Sequence, residues 1–452
     1  MPADFEVPLD ILRRSMRTPF VFLFASAAVL QLACSSSKDD ATPSDSGPSD
    51  AASDVADSKP VDSAPPVTYP AFAPDMPQLQ GKTTAVLKNP VVVTVNWPSS
   101  TAIDRLELFG DNLGKSNYWK TIVSEYGVGA VTSGADNHVQ VFGEPIAKTM
   151  TTEEADAFVR THVADPAAKW PKPTPGTIYV VYLPTLTKLL FGADSACDLG
   201  VLGYHSTTTA DDGTQLYYAI IPSCPFNPEG IGSDGLTSTA SHEIGEAVTD
   251  PSPGDGYQGF GTNHLAWDVW NNFNSENGDA CEMYLDTSFY TETEAGFDFS
   301  VQRMWSNASA AAGHDPCVPA PKAPYFNAVP LDQQPITVDL STVGGSRRTK
   351  AVGYTVAVGD TKTFNIRLFS DAPMSNWTVD VVQGGNPLFP GSGPGGSATG
   401  TIQGTTKGGN GDVMTVSVTV DRASPAKYEL LTIVSTSPDE TIKHYYPFFI
   451  AN

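Results

Sequence analysis

Two hydrophobic rhythms divide this chain. Up to about residue 317, apolar positions fall in unbroken runs or at three- and four-residue intervals, and after about residue 330 they alternate with polar ones. The run "NPVVVTVNWP" (89–98), bounded by prolines, has the pattern of a strand buried on both faces. Ile103, Leu106, Phe109 and Leu113, then Trp119, Ile122, Val123 and Tyr126 beyond "GKS", predict two amphipathic helices. Thr151 and Glu154 stand in capping-box spacing at the head of "TTEEADAFVRTHVAD", so a third helix starts there. The β-branched and aromatic runs "GTIYVVYLP" (176–184) and "LYYAIIPSC" (216–224) predict strands. A fourth helix follows over 234–249, and the alternation of strands and helices describes an α/β layer structure.

The Pro-rich segment "CVPAPKAPYFNAVP" (317–330) marks a boundary. Beyond it Phe364, Ile366 and Leu368, then Trp377, Val379 and Val381, then Val416, Val418 and Val420 alternate with polar residues between Gly-rich turns. That period predicts an antiparallel sandwich of immunoglobulin-like type over 323–452. The Gly-rich stretch after Gln383 lacks the strand, Gly-Lys-Ser/Thr and helix of a phosphate loop and reads as a long loop.

Charge and composition narrow the function. The 452 residues carry 26 Lys and Arg against 50 Asp and Glu, a formal charge of -24, which excludes attraction to nucleic acid or to anionic lipid by charge. Arg13, Arg14 and Arg17 precede "PFVFLFASAAVLQLAC", an apolar run too short for a resident membrane span, so residues 1–33 read as an export signal. The "LQLAC" context is similar to a bacterial lipobox, with Gln31 where Leu is usual, and implies that Cys34 carries the lipid. Residues 34–70 are rich in Ser, Asp and Pro, and such a composition behaves as an extended tether. The expected location is the bacterial cell envelope, lipid-anchored and facing the periplasm or the exterior. Cys197, Cys224, Cys281 and Cys317 remain, an even number in an exported chain, and no Cys-x-x-Cys spacing suits a zinc cluster. Of three pairings, the one between sequence neighbours, Cys197 with Cys224 and Cys281 with Cys317, is expected.

The chemistry concentrates in "STASHEIGEAVTDP" (238–251). At about 100° per residue, Leu236, Ala240, Ile244, Ala247 and Val248 form an apolar stripe, and His242 and Glu246 lie together roughly 150° away. Residues four apart sit one turn apart, so this imidazole and carboxylate can share a cation. Glu243 then points to where a water held by that cation lies, the place of the general base in His-Glu-x-x-His zinc enzymes. Here Glu246 replaces the second His, and the oxygen-richer set admits manganese, iron or calcium besides zinc. Glu276 is expected as the third ligand, Asp279 behind it as orienting partner, and His264 as the substitute. Asp250 sits eight residues from His242, about 12 Å along a continuous helix, and precedes Pro251, so a turn contact is its expected role. A polar helix face with solvated charges is the alternative. His205 could bind substrate or donate a proton, but as a lone loop His it reads as structural, and Trp267 and Trp270 read as core rather than a sugar- or peptide-binding cleft.

"NSENGDACE" resembles the Glu-x-x-x-Asp element of thermolysin-like enzymes, one residue shorter, and implies Glu276 as ligand with Asp279 behind it. More broadly, "VVVTVNWPSS", "NYWKTIVSEYGVG", "ACDLGVLGYHS" and "DGLTSTASHEIGEAVTDP" are similar in order and spacing to the EXORDIUM-like (phosphate-induced protein) family over residues 85–317. That resemblance implies an exported α/β (α+β) domain, here zincin-like, over 71–322. Plant relatives are associated with cell-wall growth responses and carry small apolar residues where this chain has His242–Glu246. Two functions stay open. One is a surface-anchored metal-dependent hydrolase, a peptidase, acting on extracellular peptide or a cell-wall polymer. The other is a non-catalytic envelope protein that binds polysaccharide or protein.

Overall fold

The computed structural model describes residues 67–82, 85–143, 146–224, 233–273, 275–284, 287–294, 296–343, 348–384, 386 and 397–452. The export signal, Cys34 and the tether up to residue 66 lie outside the described residues, as do 387–396 of the Gly-rich loop. The fold is mixed α/β, rich in sheet.

The first half is organised by a five-stranded sheet. Its strands are β1 (Val91–Asn96), β2 (His138–Gln140), β3 (Thr177–Tyr182), β4 (Tyr204–Thr209) and β5 (Gln215–Ile221), in the order β2-β1-β3-β5-β4. All neighbours run parallel except the edge strand β4, antiparallel to β5. The unbroken apolar runs have the reason read from sequence: both faces are covered. Val92, Ile178, Val180, Ala219 and Ile221 face one apolar cluster, and Val93, Tyr179, Val181 and Ile220 face another, the strict alternation of a pleated strand.

Helix α1 (Ile103–Leu113) and helix α2 (Asn117–Val123) pack on the first face through Leu106, Phe109, Leu113, Trp119, Ile122 and Val123. Helix α3 (Thr152–Ala164) covers the other face with Ala155 and Val159. It opens on the expected capping box, with Thr151 Oγ1 accepting from Glu154 N–H at 3.2 Å and Glu154 Oε2 from Thr151 N–H at 2.9 Å. Helix α4 (Ser233–Thr249) joins α1 and α2, burying Ala240, Ile244, Ala247 and Val248 with Leu236 at the margin. A hairpin of β6 (Phe289–Glu294) and β7 (Phe297–Gln302) lies along α4. Thr237 Oγ1 donates to the Ser300 carbonyl at 2.9 Å, and Gln302 N–H donates to Ser241 Oγ at 2.9 Å. A Cβ at Gly245 would sit 2.6 Å from Met304 Cε, just beyond the hairpin.

The strands after residue 325 form a four-stranded and a six-stranded sheet sharing one apolar cluster. Phe364, Ile366, Leu368, Val416, Val418 and Val420 point into it, as their alternation predicted. Pairing is antiparallel except that 349–355 runs parallel to 443–451, which alternation alone does not reveal. The strands 428–436 and 443–451 are buried along nearly their whole length, and α5 (Leu265–Trp270) packs on 443–451. Trp267 packs on Tyr446 and Trp270 on Tyr445, with ring centroids 5.5 and 5.4 Å apart. Both tryptophans are core, as expected, and the cluster is continuous from Met76 to Ile450. At the end of the expected tether, Asn410 Nδ2 donates to the Thr68 carbonyl at 3.0 Å.

Both expected disulfides are present, Cys197–Cys224 and Cys281–Cys317. The second ties the short helix α6 (Asp279–Glu282) to residue 317, and so fixes the loop that delivers Glu276 and Asp279.

Candidate metal centre

Opposite its apolar stripe, α4 presents His242, Glu243 and Glu246, and this face is covered, not solvated. Glu243 and Glu246 are 4% and 3% exposed, beneath β4 and the 250–284 segment. A helix face with carboxylates in water is therefore not what the chain builds.

His242 is the most open member, its side chain 13% exposed. Its Nδ1 donates to Gln302 Oε1 at 2.9 Å. The amide orientation follows from its other end, where Gln302 Nε2 donates to the Gly278 carbonyl at 2.8 Å. With Nδ1 carrying hydrogen, Nε2 is the nitrogen turned inward, 3.1 Å from Glu246 Oε2 and 3.6 Å from Asp279 Oδ1. These spacings suit donors around one cation, where bonds of about 2.0–2.3 Å place neighbouring ligands roughly 3.3–3.8 Å apart. One donor atom each of His242, Glu246 and Asp279 lie within 4.8 Å of one another.

The geometry separates the two acidic groups expected to act together. Asp279, not Glu276, joins His242 and Glu246, because Asp279 N–H donates to Glu246 Oε1 at 3.0 Å and carries its side chain to the His242 side. Glu276, three residues earlier, falls on the other side of Glu246. The residue that orients His242 is Gln302. Gly278 makes the close approach possible: a Cβ there would lie 2.7 Å from Glu246 Oε1 and 2.9 Å from His242 Nδ1.

On that other side stands His205, which the lone-loop reading underrated. It lies on β4, and its Nε2 donates to the Asp250 carbonyl at 3.1 Å. Its Nδ1 therefore faces Glu243 Oε2 at 3.5 Å and Glu246 Oε2 at 3.6 Å. Donor atoms of His205, Glu246 and Glu276 form a second group within 4.8 Å. A signal for this was in the sequence. The hairpin around Asp211, Asp212 and Gly213 sets His205 opposite Ala219, directly paired residues share a face, and Ala219 faces the α4 side. No periodicity singles out Gln302, whose strand is buried at nearly every position.

The two reserve candidates are engaged elsewhere. The Asp250 carboxylate accepts from Gly254, Asp255 and Gly256 N–H at 2.8, 3.1 and 2.6 Å, closing the turn after α4 as expected. His264 does not substitute as a ligand. It precedes α5, which docks on the tryptophan cluster, and its Nε2 meets Asp75 Oδ1 at 3.4 Å.

The charges are unbalanced. Five carboxylates, those of Glu243, Glu246, Asp250, Glu276 and Asp279, are each under a tenth exposed around two imidazoles. Among the described residues no Lys or Arg pairs with Glu243, Glu246, Asp250 or Glu276. Burial, then repulsion from Glu246, pushes the Glu276 and Asp279 carboxyls well above their usual range. Burial also opposes a charged His242, but Glu246, Glu243 and Asp279 outweigh it and hold that imidazole well above the ordinary value. Burial raises Glu246 too, yet the neighbouring His242 and then His205 dominate and bring it to about 2. Such a cluster is costly without protons or a cation to neutralise it.

No family model matches the chain, and no curated protein is similar to it. Its donor set is of a kind that divalent cations take: nitrogen from imidazole, oxygen from carboxylate, and an orienting amide behind the imidazole.

Proposed function

We propose that the protein is a metal-dependent hydrolase with its cation on His242, Glu246 and Asp279. The observation that carries this is the inward-turned His242 Nε2, facing two buried carboxylates with its other nitrogen tied to Gln302. The donors fit such an ion by their spacing, by the missing Cβ at Gly278, and by their excess of negative charge. When bound, a zinc ion there would polarise a scissile carbonyl and acidify a water.

The chain's own residues do the rest. Glu243 belongs to neither ligand group, so its carboxylate is free to take a proton from the attacking water and return it to the leaving amine. His205 Nδ1 stands 3.5 Å from Glu243 Oε2, beside that carboxylate. Gly203 leaves room for it, since a Cβ there would sit 2.7 Å from Glu243 Oε1. His242 is the edge of the cluster that solvent reaches, so substrate approaches from that side.

The helix bearing the ligands, beside a mixed sheet with one antiparallel edge strand, supports the zincin-like reading of the first half. Two sheets over one core support the immunoglobulin-like reading of 323–452. The disulfides favour an extracytoplasmic location. The substrate would then be extracellular peptide or a cell-wall polymer, met by a protein anchored through Cys34. The purified full chain should cleave a peptide library or isolated wall material, stop on chelation, and recover at least half its rate with zinc. Cleavage that survives chelation would contradict the proposal.

The depth of the cluster favours one rival, a non-catalytic protein whose ion pins α4 to the 276–284 loop. Cation binding without any cleavage would select it.

A further inference from the structure

A cation on His242, Glu246 and Asp279 leaves half of the cluster unexplained. His205 Nε2 is spent on the Asp250 carbonyl, so Nδ1 faces the carboxylates of Glu243 and Glu246, an arrangement balanced either by a proton on Nδ1 or by a cation between them. Glu276 brings a further carboxylate, its Oε2 3.9 Å from His205 Nε2. Its Oε1 is buried without a hydrogen-bond partner, in a residue 6% exposed. Leaving such an oxygen unsatisfied is unfavourable, and burial keeps bulk water from relieving it.

We infer that His205, Glu246 and Glu276 bind a second divalent cation, and that the Glu246 carboxylate is shared between the two ions. The two groups of donors have Glu246 in common and no other residue. Glu246 Oε2 lies 3.1 Å from His242 Nε2 and 3.6 Å from His205 Nδ1, so one carboxylate serves both imidazoles. Carboxylate-bridged pairs of ions sit about 3.5–4 Å apart. One imidazole and two carboxylates per ion suit zinc or manganese. The His205 side chain is 4% exposed against 13% for His242, so the second ion is the deeper one. It would join β4 to α4 and to the 276 loop, and hold Glu246 in place for the outer ion.

The inference rests on the hydrolase reading only for the outer ion, and the test separates the two. The full chain is stripped with chelator and equilibrated with zinc chloride or, in parallel, manganese chloride. Bound metal is then counted by mass spectrometry, and folding of each variant is checked by circular dichroism. The expected count is two ions per chain, falling to one in His205→Ala and in the near-isosteric Glu276→Gln, with the remaining ion lost on further replacing His242. One ion in the wild type, with the count unchanged in Glu276→Gln, would overturn the second site and leave the first standing. The rival is protons in place of metal, with Glu276 and Asp250 close enough to share one. It predicts no bound ion and would overturn both.

Discussion

Glu243→Gln is expected to lower turnover by about 10²–10⁴-fold, the usual worth of a positioned general base, with bound metal and KM unchanged. The asymmetry follows from position. Glu243 is in neither donor group, so the amide removes no ligand, and it fills nearly the same volume between Gly203 and His205. A ligand substitution such as Glu246→Gln should instead lower metal content and turnover together. Turnover in Glu243→Gln within threefold of wild type would remove the base from the mechanism. Steady-state kinetics beside metal analysis reads both quantities from one preparation.

Chelated protein should lose thermal stability as pH rises from about 5 to 8, while zinc-loaded protein should not. Three sets of groups decide the sign. His205 and His242 are raised above the ordinary 6.5, so their stabilisation is complete below that value and is lost as pH climbs through their folded pKa. Glu276 and Asp279 are raised above 4.5 and 3.8, so the unfolded chain ionises first and the fold weakens as pH rises beyond those values. Glu246, lowered from 4.5 to about 2, acts oppositely, its stabilisation present above 4.5 and lost as pH falls toward 2. The chelated protein is therefore most stable in mild acid. Zinc competes with the protons on these ligands, so its stabilising effect grows with pH. At roughly 2–4 °C per kcal/mol for a domain of this size, the gap in Tm at pH 8 should reach several degrees. Scanning calorimetry with and without chelator reads it. A chelated Tm that rises between those pH values would contradict the crowding of carboxylates described above.

Much of this arrangement was legible before the fold. The apolar stripe of α4 and the opposed His242 and Glu246 follow from helical spacing alone, because one continuous helix fixes its own faces. The capping box was equally local, whereas the disulfide pairs, which join residues 27 and 36 apart, follow only the default of pairing sequence neighbours. The exchange of Asp279 for Glu276 was not, since it depends on one backbone hydrogen bond, from Asp279 N–H to Glu246, that joins residues 33 apart. His205 needed the hairpin register, and Gln302 needed the docking of β7 along α4, where its N–H meets Ser241 Oγ 61 positions away in sequence. The helix thus announced a site, and only tertiary packing chose its other members.

The most direct measurement is an anomalous-difference map from crystals of the full chain grown with zinc, recorded at the zinc edge. A peak about 2 Å from His242 Nε2, within reach of Glu246 and Asp279, is the predicted result. A map without density there, and His242 Nε2 held by Glu246 alone as an ion pair, would contradict the account.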